Sequence, residues 1–472
     1  MSAALENTAD IVVVGGGPGG MAAALEAARR GASVILLEAG ERIGGNAARS
    51  TGYLAFQGFD MQTEADLADS VDAFMADMEA EIERQRERYG LIFDADLARQ
   101  FAAESSDTYT FLTDLGFRFN RFLSRPAQHT IDRMVDVEDT TMFTYLFEPA
   151  LADAGVEVRA RTRAGRLLTE DGAVVGVTTD GGDVWARKGV VLAAGGYQAN
   201  PELRARYQPV SMSDTPYLGT DDDRGDGHLM GQAVGGDLIN MTMIPPLIMV
   251  ASALVEDSIA VNVEGVRFHD EAGPYDSRVA VLSDQTNGLA WYVFDDQVME
   301  AKGQLVDEMP QDPVSAQTLE ELAAKIGCDP AGLVGAVRDW NETVASGAHK
   351  DPAFGRLIFP EPRIGIVEAP FHASAMLVGI NFPCGGFRVT SDMAVINVFG
   401  ESIAGLFAVG DCAGGLSCTV GLGGMRLTGA LATGRIAGRA IATDSVQAVA
   451  TSGLTGAPAI PSTVMKIAVI DD

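Results

Sequence analysis

Between Asp10 and Asn46 the chain reads DIVVVGGGPGGMAAALEAARRGASVILLEAGERIGGN, and few folds accommodate that order of residue types. Ile11 to Val14 is a β-branched apolar run suited to a buried parallel strand. Gly15, Gly17 and Gly20, with Pro18 and Gly19 between them, have the Gly-x-Gly-x-x-Gly spacing that opens a helix whose first N–H groups can face a pyrophosphate. Met21 to Arg30 is alanine-rich, Gly31 stops it, and Ser33 to Leu37 forms a second strand. Glu38, followed by Ala39, ends that strand where an acid can accept hydrogen bonds from a ribose diol. Strand, turn, helix, strand and acid in this order predict an α/β, Rossmann-like dinucleotide site.

The remaining composition narrows the partners. With 472 residues and 47% hydrophobic content the chain is long enough for two domains. Its 34 basic and 65 acidic residues leave a net charge of −31, a field that repels nucleic acid and anionic membrane. Four cysteines, Cys328, Cys384, Cys412 and Cys418, form no Cys-x-x-Cys pair, so no metal site is expected. MSAALENTA is short and polar, which reads as cytoplasmic. Met241 to Val255 is apolar, but Thr242, Pro245 and Pro246 interrupt it and it is too short for a membrane span.

Glu64 to about Leu115 carries Leu67, Val71, Phe74 and Met75 at helical spacing and predicts a long scaffold helix with an acidic solvated face. A basic, proline-broken loop follows, in which Arg121, Arg125, His129 and Arg133 either hold a substrate carboxylate or form surface salt bridges to the acidic helix. Asp171-Gly172 and Gly181-Gly182 are turns between β-rich runs, and the strand Gly189 to Ala193 ends in Ala194-Gly195-Gly196. Gly225-Asp226-Gly227 opens a helix that Asp226 either caps or leaves in order to bond the cofactor, and that contains a structural His228. From 237 to 371 the βαβ character lapses, which predicts an α+β domain inserted into a dinucleotide domain formed by 1–236 and 372–472. The tail beyond Thr451 ends in MKIAVI, suited to an edge strand or to a subunit contact in a homo-oligomer.

Taken in order, GGGPGG with Glu38, the Gly44-Gly45-Asn46 triplet, AAGGY, GDG, GVRFHDE, and GLFAVGDCAGG with GLGG resemble the fumarate reductase and succinate dehydrogenase flavoprotein superfamily, which includes the 3-ketosteroid Δ1-dehydrogenases. The resemblance implies FAD, with a capping domain closing over its ring. It places Gly15, Gly17, Pro18, Gly19, Gly20, Glu38 and Ala39 at the ADP half. Gly44, Gly45, Asn46, Thr51, Gly52, Ala194, Gly195, Gly196 and Asp226 lie along the cofactor. By the same resemblance Asp411, beside Gly410, bonds the ribityl chain, and Leu427 with its neighbour Arg426 brings a helix N-terminus to the flavin. Asn46 occupies the position of the histidine that binds FAD covalently in complex II members, so non-covalent FAD is implied. Electrons then leave to a diffusible acceptor or a separate protein.

The departures from that family carry the substrate reading. The proton-shuttling arginine of fumarate reductases is matched by Tyr275, their His-Pro-Thr by Ile244-Pro245-Pro246, and the arginine of Asn-Arg-Leu-Gly-Gly by Gly421. GPYD with Tyr275 instead resembles the stretch that carries the tyrosine base of ketosteroid dehydrogenases. Gly424 matches their oxyanion-hole glycine, while the second polariser falls to Thr419 or Arg426. The expectation is an α,β-desaturase of a small cyclic ketone, such as 4-oxocyclohexanecarboxylate. An ene-reductase of a fumarate- or urocanate-like enoate and an electron-transfer flavoprotein subunit are the alternatives.

Overall fold

The computed structural model describes residues 7–126, 128–208, 214–248, 254–307, 311–416 and 421–443. Thr8–Val14 lies at the centre of the main sheet, paired in parallel with Val34–Leu37 on one side and Gly182–Leu192 on the other. Parallel strands covered on both faces must be apolar throughout. Ile11, Val12 and Val13 are accordingly fully buried. Glu157–Arg159 extends the sheet beyond Val34–Leu37, and Ser402–Ala408 lies beyond Gly182–Leu192 with Ala394–Ile396 antiparallel at the edge. The hairpin Ala164–Glu170 and Ala173–Thr179 joins through Gly182–Leu192, with its turn at Asp171-Gly172.

Helix Pro18–Ala28 and the terminal helix Met425–Ala442 cross one face of this sheet. Their contact is built from alanine and glycine, so the backbones approach closely, and Arg435 Nε reaches Glu26 at 2.9 Å across it. The acidic region forms three helices, Asp60–Glu64, Val71–Tyr89 and Ala95–Asp114. Asp94 caps the last of these by accepting from the Leu97 N–H at 3.0 Å.

A second sheet is formed by Ile259–Asn262, Ala290–Asp295, Phe371–Ala375 and Val314–Ala316, antiparallel and in that order. Helices Leu319–Ile326 and Pro330–Ala345 cover it, capped by Thr318 and Asp329, and Trp340 is fully buried in its core. Phe371–Ala375 straddles the expected return at residue 372, because that strand fills the gap between Ala290–Asp295 and Val314–Ala316. Two short pairings, Leu238–Ile239 with Gly386–Phe387 and Leu247–Ile248 with Val378–Gly379, carry the chain between the units. The tail from 444 onwards, with its proposed edge strand, lies outside the described residues. Among the described residues no helix is long and apolar enough to cross a membrane.

Candidate active site

A cavity of about 690 Å³ runs along the C-terminal ends of the parallel strands, from Glu38 at one end to Gly424 at the other. That is a ligand-sized volume, in the place where open α/β sheets bind their ligands. At the first end the strand–turn–helix unit behaves as its sequence predicts. A side chain at Gly20 would meet the Gly15 carbonyl oxygen at 1.9 Å, so only glycine lets the helix start so close to the strand. Gly17 precedes helix Pro18–Ala28 without any side-chain cap, which leaves the first N–H groups facing the cavity. The Glu38 carboxylate accepts from the Gly16 N–H at 2.7 Å and from the Gly40 N–H at 2.6 Å, fixing the acid at the rim of the glycine turn.

The other end is a second uncapped helix N-terminus. Gly424 precedes Met425–Ala442 with φ 78°, and a side chain there would meet Leu54 and Ala55 backbone atoms at 2.5–2.8 Å. The preceding turn is clamped from both sides. The Gln128 side-chain oxygen accepts from the Gly423 N–H at 2.9 Å, and His129 Nε2 donates to the Gly423 carbonyl at 2.9 Å. Burial drives the His129 pKa down to about 4, so the ring is neutral. Arg426 pairs with Asp411 at 3.0 Å, donates to the Pro383 carbonyl and lies over the Phe382 ring.

Between the ends, Asn46 Nδ2 donates to Asp223 at 2.7 Å while Asn46 Oδ1 accepts from the Thr220 N–H at 3.0 Å. Tyr217 also donates to Asp223. Burial pushes the Asp223 carboxyl up to about 6 in spite of these donors. Asp226 pairs with Arg163, which also holds Asp222, rather than capping its own helix. Asp222, Asp223, Arg163, Tyr217 and Tyr53 were missed in the sequence. The acids stand in the same GTDDDRGDG segment that drew attention to Asp226, but it is the burial of Asp223 and the pairing of half-exposed Asp222 with Arg163 that distinguish them, not their spacing.

Most of the expected cofactor residues line this cavity: Gly15, Gly17, Pro18, Gly19, Glu38, Ala39, Gly45, Asn46, Thr51, Ala194, Gly195, Asp226, Gly410, Asp411, Arg426 and Leu427. Gly20, Gly44, Gly52 and Gly196 stand one layer back and shape its turns; the Gly44 N–H, for example, donates to the Gly16 carbonyl at 2.8 Å. Arg121, Arg125, His129 and Arg133 do not line it. Arg133 pairs with Asp69, at 2.6 Å, and with Asp77 of helix Val71–Tyr89, as the second alternative has it, but fully buried rather than at the surface. Gly424 lines the cavity, whereas Thr419 lies outside the described residues. Tyr275 begins the helix Tyr275–Ser283, and its side chain is likewise not described.

An elongated cavity with an unsatisfied helix N-terminus at each end fits a dinucleotide. One end suits its diphosphate and the other an anionic reduced ring system. A profile of the FAD binding domain family matches residues 10–427. The chain belongs to this family. It is a member of the fumarate reductase and succinate dehydrogenase flavoprotein superfamily, an FAD-dependent oxidoreductase acting on carbon–carbon bonds.

Among similar proteins, the probable fumarate reductase Ifc3 of Shewanella frigidimarina is 29% identical, over 93% of this chain and 75% of its own. The 4-oxocyclohex-2-ene-1-carboxylate 5-dehydrogenase of Sinomonas cyclohexanicum is 26% identical, over 86% and 88%. The open conformation of a flavocytochrome c3 fumarate reductase superposes with a TM-score of 0.71 at 28% identity, covering 94% of this chain and 81% of that one. The 3-ketosteroid-Δ4-(5α)-dehydrogenase of Rhodococcus jostii RHA1 does so with 0.64 at 26%, covering 93% and 97%.

Proposed function

We propose that the protein desaturates a small cyclic ketone next to its carbonyl, using non-covalent FAD. In this reading Tyr275 takes the proton from the α-carbon, the Gly424 N–H and Arg426 polarise the ketone oxygen, and the bound flavin accepts the β-hydrogen as hydride. The observation that carries it is the uncapped N-terminus at Gly424. Donors placed there stabilise the oxyanion that forms as the α-proton leaves. Asn46 supports non-covalent attachment, since its amide is no nucleophile and is engaged with Asp223 and Thr220.

Similarity to the Sinomonas dehydrogenase supports a ring ketone. The carboxylate of 4-oxocyclohexanecarboxylate rested on the arginine loop facing the cavity, and that loop lies behind the cavity wall. Similarity to Ifc3 supports the reverse reaction, reduction of an enoate, as the second reading. Replacing Tyr275 by Phe is expected to abolish ketone-driven flavin reduction while the variant keeps its FAD. Wild-type rates in that variant would remove Tyr275 from the mechanism.

A further inference from the structure

Behind the cavity wall the arginine loop converges on one carboxylate. Glu256, only 6% exposed, accepts from the Tyr53 hydroxyl at 2.6 Å. Arg121 approaches it at 3.5 Å, Arg125 at 3.9 Å and Lys302 at 3.9 Å. The Arg125 guanidinium also lies over the Tyr53 ring, 5.2 Å from its centroid. Three cations and a phenol around one carboxylate are the donor set of a carboxylate-recognition site. Here the occupant is the protein's own side chain.

Tyr53 ties this cluster to the reacting end of the cavity. It lines the cavity together with Leu422 and Gly424, and its strand Tyr53–Ala55 abuts Gly424. It packs against Ala272, three residues before Tyr275. The remaining charges there belong to Asp257, 2.6 Å from Lys302, and Glu361, 3.2 Å from Arg121, while Asp136 feels Glu256 at longer range. Burial alone raises the Glu256 pKa, but Lys302, the Tyr53 hydroxyl, Arg125 and Arg121 outweigh it and hold the carboxyl below its ordinary value. Arg121, Arg125 and Lys302 are thus balanced by Glu256, Asp257 and Glu361.

We propose that Glu256 is the resident occupant of a carboxylate-recognition cluster, so that the site selects an uncharged ring ketone over one bearing a carboxylate. This rests on the ring-ketone reading above and narrows its substrate class. A substrate carboxylate placed beside Tyr53 loses its water and meets a second negative charge, with the nearby cations already engaged. Glu256→Gln keeps the shape, removes one negative charge and leaves the cluster with a cation in excess.

The test measures two things on the FAD-loaded protein. One is the dissociation constant of unreactive cyclohexanecarboxylate, read from the flavin absorbance. The other is the kcat/KM ratio of 4-oxocyclohexanecarboxylate to cyclohexanone. Glu256→Gln is expected to tighten cyclohexanecarboxylate and to raise the ratio, each by about tenfold, whereas Tyr53→Phe, which leaves the charges in place, moves the ratio less than about twofold. Arg121→Gln shifts both quantities in the opposite direction and serves if Glu256→Gln does not fold.

A wild-type preference for the carboxylate ketone overturns the proposal, as do equal ratios in the wild type and Glu256→Gln. If neither ketone reduces the wild-type flavin, the ring-ketone reading falls. The binding measurement then decides alone: tightening in Glu256→Gln supports the resident carboxylate and unchanged affinity overturns it.

Discussion

His129 Nε2 donates to the Gly423 carbonyl at 2.9 Å, one residue before the glycine that starts the terminal helix. With Gln128 accepting from the Gly423 N–H, this contact holds the turn at the reacting end of the cavity from both sides. The basic loop therefore acts on the site through the backbone it supports.

Removing both clamps should loosen the turn without emptying the sheet core. The double variant Gln128→Ala, His129→Ala leaves two backbone groups of Gly423 without these partners, at about 1–3 kcal/mol each. It is expected to release FAD at least tenfold faster than the wild type, since about 1.4 kcal/mol corresponds to a factor of ten. Flavin fluorescence after dilution measures this directly.

Acid should destabilise the apoprotein between pH 6.5 and 4. Burial lowers the pKa values of His129, His228 and His269 to about 4, so in this window the unfolded chain binds more protons than the native one. Stability conferred by their neutral burial is present above pH 6.5 and is lost as pH falls toward 4. Asp223, raised to about 6, and Asp136 and Asp270, also raised by burial, work in the other direction and reduce the effect without cancelling the three histidines. Tm at pH 5 is expected below Tm at pH 7, and His269→Gln should reduce the difference.

Gly424→Ala tests the turn itself. The positive φ costs an alanine about 1 kcal/mol, and the new methyl meets main-chain atoms that cannot rotate away. The variant is expected to lose turnover by at least about a hundredfold while keeping its far-UV circular dichroism.

The GVRFHDE motif has a structural use beside the second sheet. Glu271 is fully buried between Arg267, at 2.8 Å, and Arg356, at 3.0 Å, and Arg356 stacks on Trp340. Burial opposes its ionisation, yet the two arginines hold the carboxyl down at about 2. Glu271→Gln takes the carboxylate from buried Arg356, while Arg267 keeps Asp351 at 2.9 Å, and should cost about 3–5 kcal/mol, seen as a lowered Tm.

The cofactor half was legible because its requirements are local. Gly20 must lack a side chain against Gly15, Ile11 to Val13 must be apolar on both faces, and Glu38 must follow the second strand, all within one short unit. Tyr53, Glu256 and Lys302 were not legible, because they come together from distant parts of the chain and each looks ordinary alone. The arginine loop stayed open between its two readings for the same reason. Its charges suggest an anion site, but whether that anion is a ligand or Asp69, Asp77 and Glu256 depends on packing that no spacing encodes.

The central claim is the direction and type of the reaction, and anaerobic stopped-flow absorbance tests it most directly. Oxidised enzyme is mixed with cyclohexanone, and reduced enzyme, separately, with fumarate and urocanate. The account predicts rapid bleaching of the oxidised flavin by the ketone and slow reoxidation by the enoates. Fast reoxidation by an enoate, with no bleaching by the ketone, would contradict it.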